Sequence, residues 1–245
     1  MTDTSAPPIV STVELRRVYG EGETAVQALR GVSVAFPSGQ FAAIMGPSGS
    51  GKSTLMHLLA GLDRPTAGSV VVDGAELANL DDRGLTRLRR DRLGFVFQAF
   101  NLVPVLSAEE NIMLPLTLAG KKPDREWLTM LIDAVGLGDR LTHRPSELSG
   151  GQQQRVAVAR ALIHRPAVVF ADEPTGNLDS KSSDEVLALL RRAVDQFGQT
   201  VVMVTHDAHA ASVADQIVVL SDGRVVHDGA GVTTEGVLDL MKAVA

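Results

Sequence analysis

Cysteine and long apolar runs are both missing from this 245-residue chain. Without cysteine, the protein has no disulfide, no thiolate metal site and no cysteine nucleophile. Its apolar runs reach about half a dozen residues, whereas a membrane-spanning helix needs about 20. The N-terminus also lacks the basic and then apolar pattern of a secretory signal. We therefore expect a cytosolic chain that does not itself span a bilayer.

Lysine and the larger aromatics are scarce as well. The chain has one tyrosine, one tryptophan and 23 basic residues, of which only five are lysines, against 29 acidic residues, so its formal net charge is −6. Net acidity disfavours nucleic-acid binding, which usually needs a basic face. The basic cluster of Arg87, Arg89, Arg90 and Arg92 is better explained as a solvated helix face than as a nucleic-acid site. We expect no nucleic-acid partner.

The order of predicted elements indicates an α/β core. Residues 1–8 are polar and proline-rich and are expected to be a disordered leader, with a single domain over residues 9–245. Apolar β-rich runs predict buried strands at Val32–Phe36, Phe41–Met45, Val70–Val72, Val168–Ala171, Val201–Val204 and Ile217–Leu220. Helices between the later strands imply parallel pairing, as in layered α/β folds.

The clearest helix has its apolar residues between Val186 and Phe197 on one face. Ser182 and Glu185 suggest a capping box at its start, and Gly198 a stop at its end.

Strand signals vanish between about Asn101 and Pro145, where helical signals dominate. One helix there has Asp124 as its expected cap and Gly136 as its stop. We predict a helical subdomain over about residues 101–149, inserted into a core formed by residues 9–100 and 150–245.

A phosphate-binding loop is the strongest motif. The run Gly46-Pro47-Ser48-Gly49-Ser50-Gly51-Lys52-Ser53 fits the pattern GxxxxGK[ST] and lies between a predicted strand and a helix-like run that starts at Thr54. Its glycines let backbone N–H groups surround phosphate oxygens, Lys52 pairs with the β- and γ-phosphates, and Ser53 ligates Mg²⁺. A chance glycine-rich turn is the alternative, and the flanking strand and helix argue against it. The residues predicted to bind the nucleotide here are Gly46 to Ser53 and Thr54.

Two adjacent acids end the apolar run that starts at Val168. In a P-loop ATPase, a carboxylate at such a strand end holds Mg²⁺, and its neighbour orients or deprotonates the attacking water. We assign Asp172 to the metal and Glu173 to the water. The alternative is a pair of acids that merely begins a loop.

A third motif decides between P-loop families. The residues Leu148-Ser149-Gly150-Gly151-Gln152 resemble the signature motif of ABC-type ATPases, which other P-loop families lack. They are expected to open a second helix, running to about Ile163, whose N-terminus can approach a phosphate closely. An ordinary serine-capped helix start is the alternative. The separation of 97 residues from Lys52 to Ser149 resembles the transporter members of the family.

The resemblance covers about residues 10–229. It implies a P-loop NTPase (RecA-like) core with an N-terminal antiparallel β subdomain and an inserted α-helical signature subdomain. It further implies that Ser149, Gly150, Gly151 and Gln152 bind the nucleotide of a partner subunit.

Four more residues match positions of the same family. Gln98 resembles the Q-loop glutamine that senses Mg²⁺ and the attacking water, and His206 resembles the switch histidine that contacts the γ-phosphate. Asp179 lies in a segment similar to the D-loop, and Tyr19 in the position of the aromatic that stacks on adenine. Taken singly, they also fit an exposed amide, a turn residue, a helix cap and an ordinary aromatic. The implied catalytic residues are Glu173, His206 and Gln98.

The resemblance also implies partners and a location. ABC ATPases bind ATP and Mg²⁺, form head-to-tail homodimers in the ATP-bound state, and drive a membrane permease. Here the permease would be a separate chain, and the ATPase would sit peripherally on the cytoplasmic face of the inner membrane. Several stretches resemble the lipoprotein-release, macrolide-export and cell-division group, whose permeases carry large extracytoplasmic domains. In one alternative the ATPase regulates an extracytoplasmic hydrolase by mechanotransmission. In another it is a soluble ABC protein of translation or DNA repair.

Overall fold

The computed structural model describes residues 7–243. Most of the predicted leader therefore lies outside the described residues. The chain divides into two compact units, which we call unit 1 (Met1–Thr86 and Val204–Ala245) and unit 2 (Arg87–Met203). Each is described by itself below.

The regular elements of the described residues include the six strands that the sequence predicts and four strands that it does not predict. Within residues 7–243 the strands are β1 (Val10–Tyr19), β2 (Val26–Phe36), β3 (Phe41–Met45), β4 (Ala67–Val72), β5 (Ala75–Glu76), β6 (Leu93–Phe97), β7 (Val168–Asp172), β8 (Thr200–Val204), β9 (Gln216–Ser221) and β10 (Arg224–Ala230). The helices in the same range are α1 (Lys52–Leu59), α2 (Asp82–Arg92), α3 (Ala108–Leu118), α4 (Arg125–Val135), α5 (Gly150–Leu162), α6 (Ser180–Phe197), α7 (Ala208–Ala211) and α8 (Thr234–Ala243). No helix of the described residues is long and apolar enough to cross a bilayer.

Unit 1 contains an antiparallel sheet with the strand order β2-β1-β4-β5. The sequence does not predict β1, because a bulge interrupts its alternation of apolar and polar residues. Val10, Thr12 and Leu15 are buried, but Glu14 has a left-handed φ of 48° and shifts the register between Thr12 and Leu15. Antiparallel pairing in this part of the chain agrees with the predicted β subdomain.

Unit 1 also contains β10, β9 and β3, which are neighbours in that order. β3 runs parallel to β9, and all five of its residues, Phe41–Met45, are buried. A strand buried on both faces reads as a continuous apolar run, which is why its bounds were predicted correctly.

In unit 2, β8, β7 and β6 are neighbours in that order, and β6 runs parallel to β7. Helices α3, α4 and α5 lie between β6 and β7 along the chain, and α4 has the predicted Asp124 cap and Gly136 stop. One cap was predicted wrongly. Helix α6 begins three residues earlier than expected, because Asp179 rather than Ser182 is its N-cap and accepts a hydrogen bond from the Ser182 N–H at 3.0 Å.

Candidate functional site

The phosphate loop of unit 1 connects the end of β3 to the start of α1, as predicted. Its three glycines, Gly46, Gly49 and Gly51, all have positive φ angles, of 145°, 78° and 102°. A Cβ on Gly46 would overlap the carbonyl oxygen of Leu220, and one on Gly51 would lie 2.5 Å from the carbonyl oxygen of Ala28. Glycine therefore suits this path best, and a glycine-rich loop of this kind can surround phosphate oxygens with its backbone N–H groups.

The start of α1 is prepared for an anion. The N-cap of this helix is Gly51, which has no side chain with which to form a capping hydrogen bond. Lys52 Nζ folds back on the loop and donates to the carbonyl oxygens of Gly46 and Pro47, each at 2.9 Å. Ser50 Oγ is buried and has no hydrogen-bond partner among residues 7–243. The helix start and the Ser50 hydroxyl together present positive potential and a hydrogen-bond donor in one place.

His206 is exposed in the turn between β8 and α7. The preceding residue, Thr205, is fully buried, and its N–H donates to the carbonyl oxygen of Ile44 at 3.1 Å. Ile44 belongs to β3, two residues before the phosphate loop begins. The bond therefore places the turn with His206 alongside the strand that leads into the loop.

Tyr19 is the last residue of β1, and it is 39% exposed. Its hydroxyl donates to Asp63 Oδ2 at 2.8 Å. Asp63 lies just after α1, whose other end carries the phosphate loop. Tyr19 thus lies beside the segment that follows α1, whereas Lys52 lies at the N-terminal end of that helix.

In unit 2, the ends of β6 and β7 bring three predicted residues together. Phe97 pairs with Asp172 in the parallel register, so Gln98 and Glu173 both follow at the same sheet edge. Glu173 has a left-handed φ of 44°. Such a backbone is unfavourable for a residue with a side chain and is typical of functional positions. Asp172 and Glu173 are both half-buried.

The Gln98 amide has a fixed orientation. Gln98 Nε2 donates to Asn177 Oδ1 at 3.1 Å, and Asn177 Nδ2 donates to the Gln98 carbonyl oxygen at 3.0 Å. The buried Gln154 side chain of α5 donates to the carbonyl oxygens of Phe97 and Pro174. Because Asn177 engages the nitrogen of the Gln98 side chain, the oxygen, which is the atom able to bind a metal, points elsewhere.

Helix α5 begins at the predicted residue. Ser149 is its N-cap in a full capping box, in which Ser149 Oγ accepts from the Gln152 N–H at 3.3 Å and the Ser149 N–H donates to Gln152 Oε1 at 2.9 Å. A Cβ on Gly151 would lie 2.7 Å from Ser182 Oγ of α6. The glycine therefore permits a close approach between the starts of α5 and α6.

Asp179 caps the neighbouring helix α6. Its carboxylate accepts from the backbone N–H of Ser182 and from the Ser182 hydroxyl, at 3.0 and 2.7 Å. The hydrogen bond from the backbone N–H of Ser182, followed by the one from its hydroxyl, lowers the pKa of Asp179 below its ordinary value. Asp179 thus stays charged close to Gly151, where the N-termini of α5 and α6 meet.

The predicted residues therefore form two sets. Unit 1 holds Tyr19, Gly46, Pro47, Ser48, Gly49, Ser50, Gly51, Lys52, Ser53, Thr54 and His206, and unit 2 holds Gln98, Ser149, Gly150, Gly151, Gln152, Asp172, Glu173 and Asp179. Sequence reasoning missed the residues that support these groups, namely Asp63 beside Tyr19 and Asn177 beside Gln98. They lie 44 and 79 residues away from their partners, and no local pattern reveals such pairs.

Comparison with known proteins identifies relatives of one family. The ABC transporter family matches residues 29–176. An uncharacterized ABC transporter ATP-binding protein of Thermotoga maritima is 48% identical over 219 residues, which are 89% of this chain and 93% of that protein. The lipoprotein-releasing system ATP-binding protein LolD of Geobacter metallireducens is 48% identical over 226 residues, 90% of this chain and 99% of its own length. The macrolide export ATP-binding/permease protein MacB of Marinobacter nauticus is also 48% identical, over 91% of this chain, but the chain spans only 35% of its length.

Solved structures confirm the predicted fold class. A dimeric structure of the ATP-binding cassette MJ0796, in a post-hydrolysis state bound to ADP and Pi, has a TM-score of 0.81 and 42% identity. It covers 90% of this chain and 98% of that one. The cbiO1 structure from Clostridium perfringens, part of the ABC transporter complex cbiONQ, has a TM-score of 0.83 at 28% identity and covers 96% of this chain and 92% of that one.

Proposed function

This chain belongs to the ABC transporter family as an ATP-binding and ATP-hydrolysing subunit, and we propose that it binds MgATP between two head-to-tail copies of itself. The observation that carries the proposal is the presence of two helix starts suited to phosphate in one chain. Helix α1 starts from the phosphate loop, and helix α5 starts from Ser149 and two glycines. In the head-to-tail pair, α1 of one subunit and α5 of the other face the same nucleotide. The dimeric structure of MJ0796 supports such a pair.

The residues present fit ATP and Mg²⁺. The cradle formed by the loop glycines, the buried Ser50 hydroxyl and the uncapped α1 start suits a triphosphate. Ser53, Gln98 and Asp172 offer the oxygen donors that Mg²⁺ prefers. When bound, Mg²⁺ neutralises charge that develops on the phosphates.

The other site residues have distinct roles in this proposal. Glu173, next to Asp172 at the end of β7, accepts a proton from the attacking water, and Gln98 orients that water. His206 donates toward the γ-phosphate, and Tyr19 stacks on adenine. Loss of the γ-phosphate removes the charge that attracts the α5 start, so the two subunits separate after hydrolysis.

We further propose that a separate membrane permease with a large extracytoplasmic domain is the partner, which would place this subunit peripherally at the inner membrane. The name of the MacB relative, an ATP-binding/permease protein, supports a permease partner. The LolD relative is named only as the ATP-binding protein of a lipoprotein-releasing system, which supports an ATPase on a chain of its own. A surface for the permease is suggested by Phe100, Leu102, Val105 and Leu106. None of the four is fully buried, and Val105 is 71% exposed, which fits a groove better than a subdomain core. A mechanotransmission role is the second candidate, and identification of the permease that copurifies from membranes separates the two.

Replacement of the loop lysine tests the nucleotide site. We expect Lys52→Ala to lose ATP binding and phosphate release while keeping the fold. Lys242→Ala is the matched control, because the Lys242 side chain is 76% exposed and pairs with the nearby Asp239 at 3.0 Å. ATP binding by titration calorimetry and phosphate release are measured on both variants. Normal ATP affinity and turnover in Lys52→Ala would contradict the proposal.

A further inference from the structure

We propose that Asp63 and Arg17 are positioning residues that hold the Tyr19 ring in place for adenine and leave one of its faces open. This rests on the proposed role of Tyr19 in stacking on the base. All three residues lie in unit 1, at the end of β1 and in the segment after α1.

The Asp63 carboxylate is fully engaged. Its Oδ2 accepts from Arg17 Nε at 2.9 Å and from the Tyr19 hydroxyl at 2.8 Å. Its Oδ1 accepts from Arg17 Nη2 at 2.9 Å and from the Arg64 N–H at 2.7 Å. A carboxylate has about four lone-pair sites, so Asp63 uses its whole capacity on this cluster. A bidentate pair with arginine is also the most directional of the ion pairs.

The guanidinium of Arg17 also covers the tyrosine ring. Its carbon lies 4.4 Å from the ring centroid, within the range of a cation–π contact. Tyr19 nevertheless keeps 39% of its surface exposed. With one face beside the cation, a planar base has the opposite face on which to stack. The ion pair thus selects which side of the ring meets the nucleotide.

Burial and charge keep the cluster fixed. The side chains of Arg17 and Asp63 are only 23% and 25% exposed. Burial raises the pKa of Asp63, but the hydrogen bond from Tyr19, followed by that from the Arg64 N–H and the charge of Arg17, outweighs it and lowers the pKa below its ordinary value. The carboxylate therefore remains an acceptor for the Tyr19 hydroxyl at neutral pH.

Two neighbouring hydrogen bonds join the same two segments. The Thr66 N–H donates to the Arg16 carbonyl oxygen at 2.9 Å, and the Val18 N–H donates to Thr66 Oγ1 at 3.1 Å. These bonds hold the strand end without Asp63. Replacement of Asp63 is therefore expected to free the ring rather than to detach the strand.

The test compares a ligand that has a base with one that lacks it. Affinities for a nonhydrolysable ATP analogue and for inorganic triphosphate, both with Mg²⁺, are measured by calorimetry on the full chain. Asp63→Asn removes one acceptor and the negative charge, and we expect the analogue to bind roughly 3- to 10-fold more weakly, with triphosphate affinity unchanged. Tyr19→Phe loses only the hydroxyl bond and is expected to show a smaller loss of the same kind.

Asp82→Asn is the matched control. Asp82 pairs with the Arg64 side chain at 2.9 Å, and the Asp82 side chain is 95% exposed. Both affinities should therefore stay at the wild-type value.

Three outcomes would overturn the inference. Equal loss for both ligands in Asp63→Asn would mean that Asp63 supports α1 and the phosphate loop instead. Unchanged analogue affinity in Asp63→Asn, together with a loss in Tyr19→Ala, would leave the stacking role intact and remove only the positioning role. Unchanged affinity in Tyr19→Ala would refute the stacking role itself, and the inference with it. If Asp63→Asn is unstable, Tyr19→Phe and Arg17→Gln decide between the same outcomes.

Discussion

Two serines with the same structural task allow the role of Ser149 to be isolated. Ser107 caps α3 and Ser149 caps α5, each within a capping box. The N–H to Oγ distances are nearly equal, 3.2 Å from Glu110 and 3.3 Å from Gln152. Replacement of either serine by alanine removes one such bond, which costs about 1 kcal/mol of stability, or roughly 2–4 °C in melting temperature.

Only Ser149 is expected to affect catalysis. The cap uses a lone pair of its hydroxyl, so the O–H remains to donate to the phosphate of the partner's nucleotide. A hydrogen bond to a charged group is worth about 1.5–3 kcal/mol, and its loss at the transition state slows ATP hydrolysis roughly 10- to 150-fold. Ser149→Gly should show the same slowing with a stability loss of only a few tenths of a kcal/mol, because glycine is a tolerable N-cap.

The assay is steady-state phosphate release together with urea unfolding on the same preparations. Ser107→Ala should lose stability and keep its turnover, while Ser149→Ala should lose both. If the two alanine variants lose stability equally and both hydrolyse ATP at the normal rate, Ser149 is an ordinary helix cap and the reasoning fails.

Three other changes have expected outcomes. Gly46→Ala should lose nucleotide binding and at least about 3 kcal/mol of stability, because its Cβ meets the Leu220 carbonyl oxygen, as measured by calorimetry and urea unfolding. Burial lowers the pKa of His164 below its ordinary value of 6.5, so the unfolded state binds more protons than the folded state as the pH falls. The stability that is present above about pH 6.5 should therefore be lost as the pH falls below it, as measured by the midpoints of urea unfolding. Asn177→Ala should slow turnover roughly 2- to 10-fold and raise the Mg²⁺ concentration required, because the Gln98 amide is no longer oriented.

Each of these has a control. Gly138→Ala should be nearly neutral, because a Cβ there meets nothing within 4 Å. His164→Gln should flatten the pH dependence, and an unchanged slope would point to other groups. Asn79→Ala removes an exposed amide bonded to Glu76 at 3.1 Å and should leave turnover unchanged. An equal effect of both asparagine replacements would argue against orientation of Gln98.

Local patterns predicted the parts of the fold that depend on local chemistry. The bounds of β3, the Ser149 cap of α5 and the Asp124 cap of α4 all follow from a few adjacent residues. β1 was not predicted because a bulge at Glu14 breaks its alternation of apolar and polar residues. At α6, two residues of the cap type lie three positions apart, and the sequence alone does not show which one accepts the N–H bond.

The sequence motifs indicate the residues of the candidate site, but they do not indicate the residues that hydrogen-bond to them, Asp63 and Asn177. Asp63 and Tyr19 are joined across 44 residues, and Gln98 and Asn177 across 79. Contacts of this kind depend on how strands and loops are placed by the whole fold. No periodicity or spacing in a single sequence encodes them.

Glu173→Gln tests the central claim most directly, that hydrolysis in a head-to-tail ATP dimer depends on Glu173. The change keeps the side chain's size and removes its ability to accept a proton. The measurement is molar mass by light scattering with MgATP present, together with phosphate release. We expect the variant to bind ATP, hydrolyse it very slowly and accumulate as a dimer. A variant that remains monomeric with MgATP and turns over at nearly the normal rate would contradict the account.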